Sequence, residues 1–220
     1  MSYMNTSPHA VKVLCYGDSN TWGQDPTQKS AHRYPITVRW TGLLQEKLGK
    51  NYWIIEEGLS GRTTALDGDV QEGKNGKAYL TPCLETNNPI DIVILMLGTN
   101  DLKEQFHQAP QDIANNVEIL VKMIQEFGWN KNKQSPKVVL LSPPFVDESV
   151  PGTQEKYKSA EDKSKQLAKY YQTVAEKYGC TFINIAEYIS SSKSDGYHLD
   201  PDAHKTISEV LEETIKELTQ

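Results

Sequence analysis

Ser19, Asn100, Asp195 and His198 are residues whose types, brought together, could carry acyl-transfer chemistry. Ser19 sits in Tyr16-Gly17-Asp18-Ser19-Asn20, directly behind the apolar run 11–15. The run reads as a strand, and the turn formers after it predict a sharp bend that lifts the hydroxyl above a sheet edge. A serine hydroxyl is a weak nucleophile and needs an adjacent base. His198 is the candidate base. Asp195, three residues before it, would fix the imidazole tautomer and stabilise its protonated form. The tetrahedral oxyanion needs preorganised donors. The candidates are the Asn100 side-chain amide and the backbone N–H groups of Ser19 and Gly61, where a glycine lets substrate approach the chain closely.

Neighbouring residues admit plainer readings. Asp18 is expected to tie the loop as a hydrogen-bond acceptor rather than serve as a second catalytic carboxylate. Trp22 either lines a small acyl pocket beside Ser19 or packs under the loop. Asp101 reads as a turn residue and Asp200 as the N-cap of the last helix. Arg62 is a candidate partner for Glu56 or Glu57. His198, Asp200, Asp202 and His204 alternate with other residues in a way that suggests a metal site. Pro201 begins a helix, however, which would turn Asp202 and His204 away from His198. No metal or cofactor is therefore expected. His9, His32 and His107 have no partner at a recognisable spacing.

These residues are far apart in the chain, so the elements must bring them together. Strand candidates are 11–16, 52–56, 90–97, 138–142 and 181–185. Ile92-Val93-Ile94-Leu95-Met96-Leu97 and Val138-Val139-Leu140-Leu141 are continuous apolar runs, the mark of strands buried on both faces of a parallel sheet. Helices are expected over 38–48, over 110–127 with Ile113, Val117, Leu120, Val121 and Ile124 on one face, and over 158–178 with Leu167, Tyr170, Tyr171 and Val174. A last helix begins at Pro201 and carries Ile207, Val210, Leu211 and Leu218. Leading prolines and trailing glycines punctuate these segments. The stretch 58–89, marked by Gly61, Gly68, Gly73 and Gly76, reads as a loop-rich crossover with a short helix near 77–84, and 143–157 reads as irregular. Right-handed crossovers then give a three-layer α/β sheet of order 2-1-3-4-5. Ligands bind such sheets beyond the carboxyl ends of the strands, where strands one, three and five would deliver Ser19, Asn100 and His198.

The 220 residues are expected to form a single domain with its core over about 11–215. A formal net charge of -6 argues against a nucleic-acid or anionic-membrane partner. Three cysteines, Cys15, Cys83 and Cys180, fit reduced thiols in a cytoplasm better than a disulfide framework. No basic cluster leads an apolar run at the start, and no apolar stretch approaches the roughly 20 residues needed to span a bilayer.

At Gly17-Asp18-Ser19-Asn20, Gly58–Gly61, Gly98-Thr99-Asn100-Asp101 and Asp195-Gly196-Tyr197-His198 the chain resembles the SGNH (GDSL-type) hydrolase superfamily, over roughly 11–215. The wider wording, including Asp18-Ser19-Asn20-Thr21-Trp22-Gly23, Val38-Arg39-Trp40, Glu56-Glu57-Gly58-Leu59-Ser60 and Arg62-Thr63-Thr64, is closer still to its small arylesterase/acyltransferase branch. The resemblance implies a flavodoxin-like αβα sandwich and metal-free ester hydrolysis, with Ser19, Asp195 and His198 as triad and Ser19, Gly61 and Asn100 as oxyanion hole. It also implies that alcohols or hydrogen peroxide can accept the acyl group in some members, and that some members are homo-oligomers. Asn20 stands where the family has leucine, and Glu57 where many members have asparagine. The expectation is a cytoplasmic serine esterase of small, short-acyl esters, carbohydrate acetyl esters being as well suited as aryl esters. The competing readings are a metal-dependent phosphoesterase and a non-catalytic small-molecule binding module.

Overall fold

The structure, a computed structural model, describes residues 7, 9–28, 32–66 and 72–220. In chain order the elements are β1 (Val11–Gly17), α1 (Ser19–Trp22), α2 (Trp40–Leu48), β2 (Tyr52–Gly58), α3 (Gly76–Asn87), β3 (Ile92–Met96), α4 (Pro110–Phe127), β4 (Lys137–Ser142), α5 (Gln154–Tyr157), α6 (Ala160–Tyr178), β5 (Thr181–Asn184) and α7 (Pro201–Leu218). All five strands pair in parallel, in the order β2-β1-β3-β4-β5. This is the α/β arrangement expected from the alternation of apolar runs and amphipathic segments.

Both faces of the sheet are covered, which is why the central runs are apolar without a break. All five β3 residues are buried. On β1, Leu14 and Tyr16 point into one core and Val13 and Cys15 into the other. The first core is closed by α3, α4 and α6, the second by α2 and α7. Each fully buried leucine or isoleucine contributes roughly 1.5–3 kcal/mol relative to exposure. The whole stripe expected on α4 is buried, with Ala114 added. On α6, Tyr170 is only partly buried, and Ser164 and Ala175 complete the face instead. On α7 the buried positions are Ala203, His204, Ile207, Ser208, Leu211 and Ile215, so Val210 and Leu218 lie at its edge.

The expected elements shift mainly at their ends. β3 is shorter than the apolar run 90–97 because Ile90 N–H turns to Trp129 O (2.8 Å), and Leu97 O accepts from the Tyr171 hydroxyl (2.8 Å). Helix α3 is longer than the expected 77–84; of the glycines marking that crossover, Gly68 lies outside the described residues. The irregular 143–157 stretch contains the single-turn α5. Among the described residues no helix is long and apolar enough to cross a membrane.

Candidate active site

The turn after β1 is held before any substrate arrives. Asp18 is the N-cap of α1, its Oδ1 accepting from Asn20 N–H at 2.9 Å. Ser19 is therefore the first residue of the helical turn. Gly58, at the end of β2, is where that turn presses against the sheet: a Cβ there would lie 2.2 Å from Trp22 N. From behind, the fully buried Trp40 donates its indole N–H to Asn20 O (3.1 Å). Trp40 is fixed in turn by the 33–41 segment, where Arg39 donates to both carboxylate oxygens of Glu56 at 2.9 and 2.7 Å.

The loop between β5 and α7 is locked as firmly. Ser192 N–H donates to His198 O (2.8 Å) and Thr153 Oγ1 to Asp195 O (2.7 Å). Asp147 N–H donates to Gly196 O (2.8 Å). Asn20 then joins the two loops, its side-chain amide donating to Tyr197 O at 3.1 Å.

These constraints bring the three distant residues into contact. His198 Nε2 lies 3.0 Å from Ser19 Oγ, and His198 Nδ1 lies 2.5 Å from Asp195 Oδ2. The other Asp195 oxygen accepts from the backbone N–H groups of Tyr197 (3.2 Å) and His198 (3.0 Å). Burial works to raise the Asp195 carboxyl, but the hydrogen bond and charge of the His198 ring, with the two backbone donors, outweigh it and hold it below the usual range.

Asn100, behind β3, reaches back toward the other two loops. Its amide donates to Arg62 O at 3.0 Å and approaches Asp18 Oδ2 at 3.4 Å. Asp18 thus acts as the loop-tying acceptor the sequence suggests, and burial pushes it up to about 6. Gly61 has φ +82°, a left-handed conformation suited to glycine, and joins Ser19, Asn100 and His198 around one open cleft of about 150 Å³. Among the described residues neither Ser19 nor Gly61 donates its backbone N–H to another protein group.

Several sequence expectations need correction. Asp101 is not a simple turn residue: it is fully buried and accepts from the backbone N–H and the hydroxyl of Thr64, with burial raising it to about 7. Arg62 pairs with neither glutamate carboxylate. It donates to the backbone oxygens of Gly17 (2.8 Å) and Glu57, and stacks 4.2 Å above the Tyr16 ring. Asp200 stands at the N-cap of α7, but its side chain accepts from the Ser192 hydroxyl (2.8 Å) instead of capping. Trp22 does not wall the cleft. Arg33 covers its ring, 5.3 Å from the centroid, and donates to its carbonyl (2.6 Å). As the helix start at Pro201 implies, and needing no correction, His204 points away from His198 into the core, where its Nδ1 accepts from Trp40 N–H at 3.3 Å. Among the described residues no three His, Cys, Asp or Glu side chains converge as a metal site would require.

The cleft also contains residues that the motifs do not single out. Lys103 follows Asn100 by three positions, so the reasoning that found Asn100 could have found it. Lys156 and Tyr157 lie within the irregular 143–157 segment, the least family-like part of the chain and the one expected to shape the acyl or alcohol pocket, though neither residue is singled out by a motif. Tyr197 lies between Asp195 and His198 in the motif, and its ring meets the His198 ring at 4.4 Å, tilted by 51°.

Known proteins resemble this chain in sequence and fold. The model of the GDSL-like lipase/acylhydrolase family matches residues 15–206. A carbohydrate acetylesterase from Sinorhizobium meliloti superposes with TM-score 0.89 at 36% identity, covering 94% of this chain and 99% of its own. An aryl esterase from M. smegmatis gives TM-score 0.88 at 36% identity, covering 95% and 100%. An acetylxylan esterase from Xylanibacter ruminicola is 25% identical over 94% of this chain. This chain spans 43% of the length of that relative.

Proposed function

This chain belongs to the GDSL-like lipase/acylhydrolase family, and from that membership we propose that it is a serine esterase that hydrolyses small, short-acyl esters through an acyl-enzyme. The observation that carries the reading is the unbroken contact chain from Asp195 through both His198 nitrogens to Ser19 Oγ, at 2.5 and 3.0 Å. In the proposed reaction Ser19 Oγ attacks the ester carbonyl carbon as its proton passes to His198 Nε2. Asp195 stabilises the resulting imidazolium. The Ser19 and Gly61 N–H groups and the Asn100 amide receive the oxyanion, each such donor being worth about 10²–10³-fold in turnover. The Asn100 contact to Asp18 is longer than an ordinary N–H···O bond, so that hydrogen is the one free to turn to substrate. Collapse expels the alcohol, which takes the proton from His198. Water then attacks the acyl carbon while giving a proton to His198; the bond between that carbon and Ser19 Oγ breaks, His198 returns the proton to Oγ, and the acid leaves. An alcohol in place of that water would take the acyl group by the same steps.

The cleft volume supports a short acyl group. About 150 Å³ is the space of roughly five liquid waters and lies below the usual range for drug-sized ligands. Its polar walls suit acetyl esters of carbohydrates as well as aryl acetates, and relatives of both kinds share the fold.

The test is turnover of p-nitrophenyl acetate with and without a chelator, in the parent and in Ser19→Ala. The reading predicts chelator-resistant turnover that the substitution abolishes, and blockage by an organophosphate on one serine. Chelator-sensitive turnover that survives Ser19→Ala would overturn the serine mechanism and favour metal-dependent hydrolysis instead. No turnover of any ester, with no organophosphate adduct, would leave a binding module.

A further inference from the structure

On a chain of net charge -6, the wall of the cleft is cationic. Lys103 and Lys156 both line it. Lys74 flanks it, its side chain passing 3.8 Å from where a Gly61 Cβ would be. Several lysines elsewhere are paired with carboxylates, Lys47 with Glu209 and Glu212, Lys122 with Glu118, Lys165 with Glu161 and Lys193 with Asp147, while Lys12, Lys131 and Lys163 reach backbone oxygens. Among the described residues no carboxylate oxygen lies within ion-pair distance of the Lys74, Lys103 or Lys156 ammonium groups. The carboxylates beneath them are committed elsewhere, Asp18 to Asn20 N–H, Asp101 to Thr64 and Asp195 to His198. Burial lowers the Lys103 ammonium, and the neighbouring Lys156 charge lowers it further, against the opposing pull of Asp18 and Asp101.

Two cations on the wall of one cleft, neither with a carboxylate at ion-pair distance and both beside the atoms that receive an ester carbonyl, are a ready site for an anion. We propose that Lys103 and Lys156 select esters that carry a carboxylate close to the reacting carbonyl. This rests on the acyl-transfer reading and specifies its substrate class. A carboxylate placed on either the acyl or the alcohol half of the ester presents the same chemistry to the two ammonium groups. Hydrolysis itself proceeds as before; the added step is ion pairing, with no bond made or broken.

The experiment compares anionic esters with their neutral methyl-capped counterparts. One arm uses mono-p-nitrophenyl succinate against p-nitrophenyl methyl succinate, with the charge on the acyl half. The other uses 4-acetoxybenzoate against methyl 4-acetoxybenzoate, with the charge on the alcohol half. Each ratio of kcat/KM is measured in the parent, in Lys103→Gln, in Lys156→Gln and in the double variant. Differences in intrinsic reactivity cancel when the ratios are compared between proteins. In at least one arm the anionic-to-neutral ratio should fall about tenfold in the double variant, the size expected of two ion pairs, one to the half-buried Lys103 and one to the exposed Lys156. The loss should lie in KM, and added salt should erode the parent's preference. The responding arm identifies the charged half. Ratios unchanged in both arms, with Ser19-dependent turnover intact, would overturn the inference alone. So would an equal loss for charged and neutral esters confined to kcat, which would place Lys103 on the reacting oxyanion. If no ester is turned over, the acyl-transfer reading fails and this inference with it.

Discussion

Asp195→Asn is the perturbation whose outcome the geometry specifies most closely. The parent carboxylate uses one oxygen for His198 Nδ1 and the other for the backbone N–H groups of Tyr197 and His198. An asparagine has one acceptor and one donor end. The two backbone N–H groups can face only the acceptor, so the amide NH₂ is forced toward the imidazole. Nδ1 must then become the acceptor, and the ring proton moves to Nε2, 3.0 Å from Ser19 Oγ. The base now points a hydrogen at the hydroxyl it should deprotonate. A triad with the wrong tautomer loses about 10⁴-fold in turnover, or about 5.4 kcal/mol of transition-state stabilisation. The fold should hardly change, because the substituted side chain keeps its size and its backbone contacts. The assay is p-nitrophenyl acetate hydrolysis at neutral pH, with urea unfolding as the control for stability. A folded variant that retains more than about a tenth of the parent kcat would refute the reasoning.

Other consequences follow from residues around the site. His204 is buried, and burial, together with the Arg39 and His198 charges, lowers it to about 3, so the unfolded chain binds its proton first. Its contribution to stability is present above the ordinary value of 6.5 and is lost as pH falls toward 3, by about 1.6 kcal/mol between pH 6.5 and 5. His204→Asn, which keeps an acceptor for Trp40 N–H, should remove that loss. Asp18 and Asp101 titrate in the opposite sense over the same range, so the readout is the difference between parent and variant in urea unfolding at the two pH values; identical slopes would contradict it. Gly98→Ala places a Cβ 2.2 Å from the Tyr171 hydroxyl at φ +124° and should cost about 3 kcal/mol in the same assay, a loss below about 1 kcal/mol counting against the packing described. Asn20 leaves its buried Oδ1 without a donor, so Asn20→Leu should raise stability by about 1 kcal/mol, even though Tyr197 O must turn to solvent; a drop of that size would show the tether to be the stronger effect.

The sheet order and the four long helices were legible because burial on both faces writes itself into composition. Ile92–Met96 has no polar side chain to offer, and the α4 stripe repeats at the helical period. Ser19, Asn100, Asp195 and His198 were legible for a different reason: each follows a strand, and parallel topology fixes which edge those positions share. What escaped lay in contacts across the loops. Asp101 and Thr64 are far apart in sequence, and nothing local says that this aspartate is buried while its neighbours meet the cleft. Charge offered Glu56 or Glu57 as partners for Arg62 and left its role open; two backbone oxygens and the Tyr16 ring satisfy it instead. Trp22 is close to Ser19 in sequence, yet α1 turns it away to lie beneath Arg33. The helix start at Pro201 already said that His204 would turn from His198, but not that it would meet Trp40 N–H in the core.

The central claim is that Ser19 carries the acyl group between two half-reactions. Acid quenching during the first turnovers of p-nitrophenyl acetate, followed by peptide mass mapping, tests it directly. The account predicts one acetyl group on the peptide containing Ser19, formed in step with the burst of p-nitrophenol and absent from Ser19→Ala, which gives no burst. Acetyl found on another residue, with turnover undiminished in Ser19→Ala, would contradict it.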